Sequence, residues 1–112
     1  METLPVINAT YDCYKLIVEM NDHLKKQWRY SLGVSLETTI LDLAGQLIMA
    51  KNAPKPLKAG YLIKASSHQE IATLKLRLFL ALELVNKTKI FQAQRRLAEI
   101  GKMGLSPNVI LA

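Results

Sequence analysis

The chain is poor in the residues on which most chemistry and most strand-based folds depend. One of its 112 residues is cysteine, Cys13, so no disulfide can form within the chain, as expected in a reducing cytoplasm. Cys13 sits among apolar helix positions and reads as packing. Histidine occurs twice, at His23 and His68, in neither a His-x-x-x-His nor a Glu-x-x-His spacing. With no thiol pair either, the usual metal-site patterns are excluded and no cofactor is implied. No Gly-rich loop precedes a helix, so no phosphate cradle of that kind is encoded. No arginine stands four to six residues before a histidine, which excludes the Arg-x4–6-His pattern of small helical ribonucleases. Ser66, Ser67 and His68 are adjacent in mid-helix, where no nucleophile–base geometry is implied, and read as a polar helix face. These absences predict a protein that is not an enzyme.

Long apolar runs are missing too. The most apolar segment, residues 71–85, is interrupted by Lys75, Arg77 and Glu83, too short and too charged for a bilayer span. The N-terminal stretch "METLPVINATYDCYK" lacks the charged start and apolar run of a signal peptide. A cytoplasmic protein with no membrane partner is the expectation. Aromatic residues make up only 6%. Leucine, isoleucine and alanine carry the apolar half of the composition, which favours helices over strands.

What is present is helical periodicity, with no strand-like alternation and no repeat. A first helix is predicted over Pro5–Lys26, with Val6, Thr10, Cys13, Ile17, Met20 and Leu24 at three- and four-residue steps. A second is predicted over Ser31–Asn52, striped by Leu36, Ile40, Leu43, Leu47 and Ala50, and stopped by "NAPKPLK". The third runs over Leu57–Val85, with Asn86 or Thr88 available to cap the fourth, Lys89–Met103. Ile90, Ala93, Leu97 and Ile100 share one face of the fourth, and Gly104 and Pro107 end it. Short connections make this an all-α, antiparallel, up-and-down four-helix bundle over residues 1–104, with a short irregular tail over 105–112.

The stripes hold more apolar surface than one small bundle can cover. On the second helix Val34, Leu41, Ala44 and Ile48 stand apart from the main stripe. On the third, Ile71, Leu74, Leu78, Leu82 and Val85 are assigned to the core, leaving a second face of Ala72, Leu76, Phe79, Leu80 and Leu84. A helix apolar nearly all round is buried on more than one side. Other copies of the chain are the expected cover, with Leu41, Ile48, Leu76, Phe79, Leu80 and Leu84 in the oligomer interface.

Charge points outward as well. Fifteen Lys and Arg against nine Asp and Glu give a net charge of +6 and a pI of about 9.6, which favours an anionic partner. "KKQWRYSLG", residues 25–33, places cations beside rings, as a nucleic-acid patch would. It reads mainly as a corner between helices: Ser31 and Gly33 suit a helix start, and Tyr30 and Leu32 can pack over the bundle end. Lys25, Lys26 and Arg29 are expected in solvent near Lys87 and Lys89, because up-and-down topology brings the first and third corners to one end. Lys75, Arg77, Arg95 and Arg96 form a second group on the helices themselves. Forked guanidinium donors on rigid helices suit phosphate better than flexible corner lysines, so this second group is expected to carry more of the binding.

Four pieces of the sequence resemble a bacterial four-helix-bundle family: "RYSLG" opening the second helix, "ILDLAGQLIMA" along it, "LRLFLALEL" in the third and "RLAEIGKM" in the fourth. That family includes proteins encoded in intervening sequences of large-subunit ribosomal RNA genes and the accessory variability determinants of diversity-generating retroelements. The resemblance covers about Leu4 to Met103. Its most specific pieces are Arg29-Tyr30-x-Leu32-Gly33 and Glu99-Ile100-Gly101-Lys102-Met103. It implies a barrel-like homopentamer. For the retroelement branch it implies a basic surface for RNA or DNA and for the element's reverse transcriptase, in mutagenic copying of a template repeat. Members usually continue with a Gly-Trp-Ile-like stretch; here only Gly104 fits. A structural or protein-interaction bundle, as the intervening-sequence members would be, is the competing reading. A membrane-surface bundle fits poorly, because no helix sets one clean basic face against an apolar one.

Overall fold

The computed structural model describes residues 4–103. The tail expected over 105–112, and the helix stop assigned to Gly104 and Pro107, lie outside the described residues. The described residues are helical, with no strand among them.

Helix α1 spans Leu4–Asn21. Its stripe of Val6, Thr10, Cys13, Ile17 and Met20 is buried, as the spacing predicts. Thr10 is tolerated in the core because its hydroxyl donates to the Val6 carbonyl at 2.8 Å. The helix ends short of the expected Lys26, because Asn21 turns inward. Its Nδ2 donates to the Gly33 carbonyl at 3.0 Å and to Glu37 Oε2 at 2.8 Å, tying the end of α1 to the following rod. Gly33 permits that approach: a Cβ there would meet Leu24 Cδ1 at 3.0 Å and the Asn21 amide at 3.3 Å.

A short helix α2 (Lys26–Trp28), a five-residue π turn (Arg29–Gly33) and helix α3 (Val34–Asn52) follow without a break. Thus "RYSLG" is a widened turn inside a rod and not the rod's start. Helix α3 stops where the two prolines predict, with Ala53 and Pro54 extended (ψ 151° and 148°). Helix α4 spans Lys55–Ala81. Near its start, Lys58 Nζ donates to the Ala50 and Lys51 carbonyls at 2.7 and 3.1 Å, placing a cation on the C-terminal carbonyls of α3.

The end of α4 comes earlier than the expected Val85. Leu84 N–H donates to the Phe79 carbonyl and Glu83 N–H to the Leu80 carbonyl, both at 3.1 Å. Glu83 takes φ 50°, the left-handed conformation. This is a Schellman stop with glutamate where glycine is usual. Asn86 then caps α5 (Lys87–Lys102), its side chain accepting from Thr88 N–H at 2.7 Å.

Helix α3 packs along α4, α4 along α5, and α1 against both α3 and α5, so the four long helices enclose one core in an elongated body of 44 × 21 × 19 Å. Two further side chains tie neighbouring helices. Gln69 Nε2 donates to the Leu97 carbonyl of α5 at 3.1 Å, in space that a Cβ on Gly101 would crowd at 3.1 Å. Lys75 Nζ donates to Thr39 Oγ1 at 2.6 Å and to the Ser35 carbonyl at 3.2 Å, both on α3.

On α4 the two apolar faces are exchanged relative to the sequence expectation. Ala72, Leu76 and Phe79 are fully buried, and Leu80 and Leu84 are half-buried against the same core. Leu76 and Phe79 are therefore core residues and are not available to an oligomer interface, while Leu80 and Leu84 offer it little. Ile71, Leu74, Leu78 and Leu82, assigned to the core, are 40–58% exposed, and Val85 is half-buried. The reason lies in the first half of the helix. The inner stripe continues backward through Leu62 and Ala65, both buried, whereas the outer stripe continues into Ser67, Lys64 and Gly60.

Candidate nucleic-acid interface

Helix α5 carries the clearest display of cations. Its core stripe of Ile90, Ala93, Leu97 and Ile100 is buried, which turns Arg95 and Arg96 outward. Both line a recess of about 290 Å³ with Gln92 and with Leu16 of α1. Arg96 also borders an adjoining recess with Asp12, Lys15, Leu16 and Glu19. The seam between α1 and α5 thus brings Lys15 to Arg96, together with the two acids Asp12 and Glu19. Sequence reasoning did not place Lys15 there; pairing the first helix antiparallel to the fourth would have done so.

The partners of these cations matter more than their number. Among the described residues one ion pair occurs, Lys87 with Glu83 at 4.0 Å, both well exposed, and such a pair contributes little. Arg77, Arg95 and Arg96 are exposed and make no ion pair among the described residues. Each keeps its full set of donors for an anion.

Two of the expected phosphate contacts have other work. The Lys75 ammonium is spent on Thr39 and Ser35, so it joins α4 to α3 and is withdrawn from the cation group. Arg29, expected in solvent, is half-buried, and its Nη2 donates to the Asp22 carbonyl at 3.0 Å. It closes the corner after α1. Lys25 and Lys26 are exposed, Lys87 is exposed, and Lys89 is half-buried. Trp28 and Leu32 are half-buried against the core, while Tyr30 is 67% exposed. "KKQWRYSLG" is therefore chiefly a corner that leaves two lysines and one ring outside.

Cys13 is fully buried, and burial pushes its thiol up to about 12, with Arg96 opposing weakly. Such a thiol is inert near neutral pH. Among the described residues no group of three His, Cys, Asp or Glu side chains is placed to hold a metal ion. One stretch, Lys26–Asn52, has the length and mean hydropathy (1.2) to cross a membrane; its inward residues Leu36, Ile40, Leu43 and Leu47 belong to the core of this fold.

Of the expected interface residues, Leu41 and Ile48 are on the surface, at 51% and 46% exposure. Tyr11, Val34, Ile71, Leu74, Leu78 and Leu82 are also on the surface of the single chain, all at least 40% exposed. Comparison of the chain with family models, curated proteins and solved structures returned no match.

Proposed function

We propose that this chain is a non-enzymatic, nucleic-acid-binding accessory protein of the diversity-generating retroelement type. In this reading it is an antiparallel, up-and-down four-helix bundle, works in the cytoplasm beside a reverse transcriptase, and assembles into a barrel-like homopentamer. The observation that carries the binding reading is the outward arginine pair Arg95 and Arg96, free of acidic partners within ion-pair distance among the described residues. Two further features support the family reading. Gly33 and Gly101, one in each of its two most specific motif pieces, both stand where a Cβ would crowd a side chain from a neighbouring segment. Self-association is supported by the exposed leucines and isoleucines of α3 and α4, which exceed what isolated surface residues explain. The same surface favours a second reading, a structural or protein-interaction bundle of the ribosomal intervening-sequence type.

Titration of short RNA and DNA strands across a salt series separates the two. Log affinity should fall linearly with log salt as counterions are released. Replacing Arg95 and Arg96 with Gln should weaken binding uniformly across sequences and reduce the salt slope by about one unit per lost phosphate contact. Replacing Lys25, Lys26, Lys87 and Lys89 should cost less. Affinity indifferent to salt between about 50 and 200 mM would overturn the binding reading and leave the structural one.

A further inference from the structure

The corner after α1 holds two buried polar atoms without a hydrogen-bond partner among the described residues, one an acceptor and the other a donor. The acceptor is Oδ1 of Asn21, a residue only 2% exposed. Its Nδ2 uses both hydrogens, on the Gly33 carbonyl at 3.0 Å and on Glu37 Oε2 at 2.8 Å. Turning the amide over offers no remedy, because Oδ1 would then face two acceptors. The donor is Nε of Arg29, whose Nη2 already donates to the Asp22 carbonyl at 3.0 Å. A guanidinium does not shed the Nε hydrogen, and a buried polar group left unpaired keeps its full desolvation penalty.

The ties of this corner bring the two atoms to one place. Asn21 and Asp22 are consecutive, with Cα atoms about 3.8 Å apart. Arg29 and Gly33 are the first and last residues of the π turn, and each is bonded to one member of that pair. The planar guanidinium holds Nη2 and the Nε hydrogen on one edge, so that edge lies against the end of α1. The π turn spreads the rod at this level. The third such atom, Gln46 Oε1, is a contrast. It lies about 20 Å further along the rod from Gly33, and Arg29 Nε is the one buried side-chain donor left over among the described residues.

Chemistry selects the occupant. Neither atom meets solvent, so the occupant is small. It must accept from one side and donate to the other. An anion would suit Nε but meet the lone pairs of Oδ1. A metal ion would suit Oδ1 but meet the guanidinium charge. Water does both. We infer that one water molecule is built into this corner, accepting from Arg29 Nε and donating to Asn21 Oδ1. It completes a chain of bonds from Asp22 through Arg29, the water and Asn21 to Gly33 and Glu37, which joins the end of α1 to the π turn and to α3. Arg29 is then committed at Nε as well as at Nη2, and releasing it to a phosphate would unpair Asn21.

Oxygen-17 relaxation dispersion, which detects waters held longer than the protein tumbles, tests the site on the intact chain. Arg29→Lys keeps a cation for the Asp22 carbonyl but has no donor along its stem. It should lose the dispersion amplitude of about one water relative to the wild type, whereas Gln46→Leu should keep that amplitude. A crystal structure of the wild type is the second measurement, should Arg29→Lys fail to fold by circular dichroism. It should show one water within hydrogen-bond distance of both atoms, and soaking with bromide should leave no anomalous peak there. Unchanged amplitude in Arg29→Lys, an equal loss in Gln46→Leu, a direct bond from Nε to Oδ1, or bromide at the site would each overturn the proposal.

Discussion

Helices α4 and α5 lie side by side, and only one of them announces in its sequence which way it faces. Helix α5 sets Ile90, Ala93, Leu97 and Ile100 against a face holding Arg95, Arg96 and Glu99, and every one of those four apolar residues is buried. Helix α4 is apolar on two sides through residues 71–82, and periodicity alone cannot rank the sides. The difference teaches that charge locates a surface more reliably than apolarity locates a core. A lysine inside an apolar run is also ambiguous: Lys75 lies between the two faces and is bound to α3, while Arg77 is free of ion pairs among the described residues.

The largest test of that comparison is truncation on the two sides of α4. Phe79→Ala should cost about 3–5 kcal/mol in chemical denaturation, because it removes a fully buried ring. Leu74→Ala, at 58% exposure, should change the stability of the isolated fold by no more than about 0.5 kcal/mol. Equal losses would restore the opposite assignment of the faces. The two cations come next. Lys75→Met should lose about 1 kcal/mol through its bonds to Thr39 and Ser35, whereas Arg77→Met should leave the melting temperature unchanged and lower only nucleic-acid affinity.

The junction between the two helices supplies a gain of similar size. Glu83 holds a left-handed conformation that costs a non-glycine residue about 1 kcal/mol. Glu83→Gly should therefore raise stability by about that amount, less a small loss from the exposed Lys87 pair. A decrease on thermal melting would mean the Schellman stop is held by the carboxylate. The last effect belongs to α1 and is confined to high pH, where burial keeps a core thiol protonated against a weaker opposing pull from Arg96. The folded Cys13 keeps its proton up to about 12, while an unfolded chain releases it above its ordinary range near 9. The unfolded state thus binds fewer protons between those values, and stability falls as pH rises through that window. The stability difference between the wild type and Cys13→Ala should narrow from pH 9 to 12; a constant difference would count against the assignment.

Much of the architecture was legible because it depends on local signals. Proline at 54 and 56, Asn86 before α5 and the stripes of α1, α3 and α5 each act within one or two turns. The exchange of faces on α4 was legible only over its full length, where Leu62 and Ala65 extend one stripe and Lys64 and Ser67 end the other. The end of α1 was not legible locally, because it is set by Asn21 reaching Gly33 and Glu37. For the same reason the withdrawal of Lys75 and Arg29 from the surface could not be read: their acceptors, Ser35, Thr39 and the Asp22 carbonyl, belong to other turns or other helices.

The ties between segments have an evolutionary consequence. Asn21, Lys58, Gln69 and Lys75 all donate to main-chain carbonyls, at Gly33, Ala50, Leu97 and Ser35. A carbonyl is present whatever side chain the accepting residue carries, so mutation at most acceptor positions leaves the bond in place. Selection for these ties acts on a few donors and on the small residues that admit them, beside the selection that keeps the core apolar. The side chains at the accepting positions can change while the four ties and the buried core still hold the helices together.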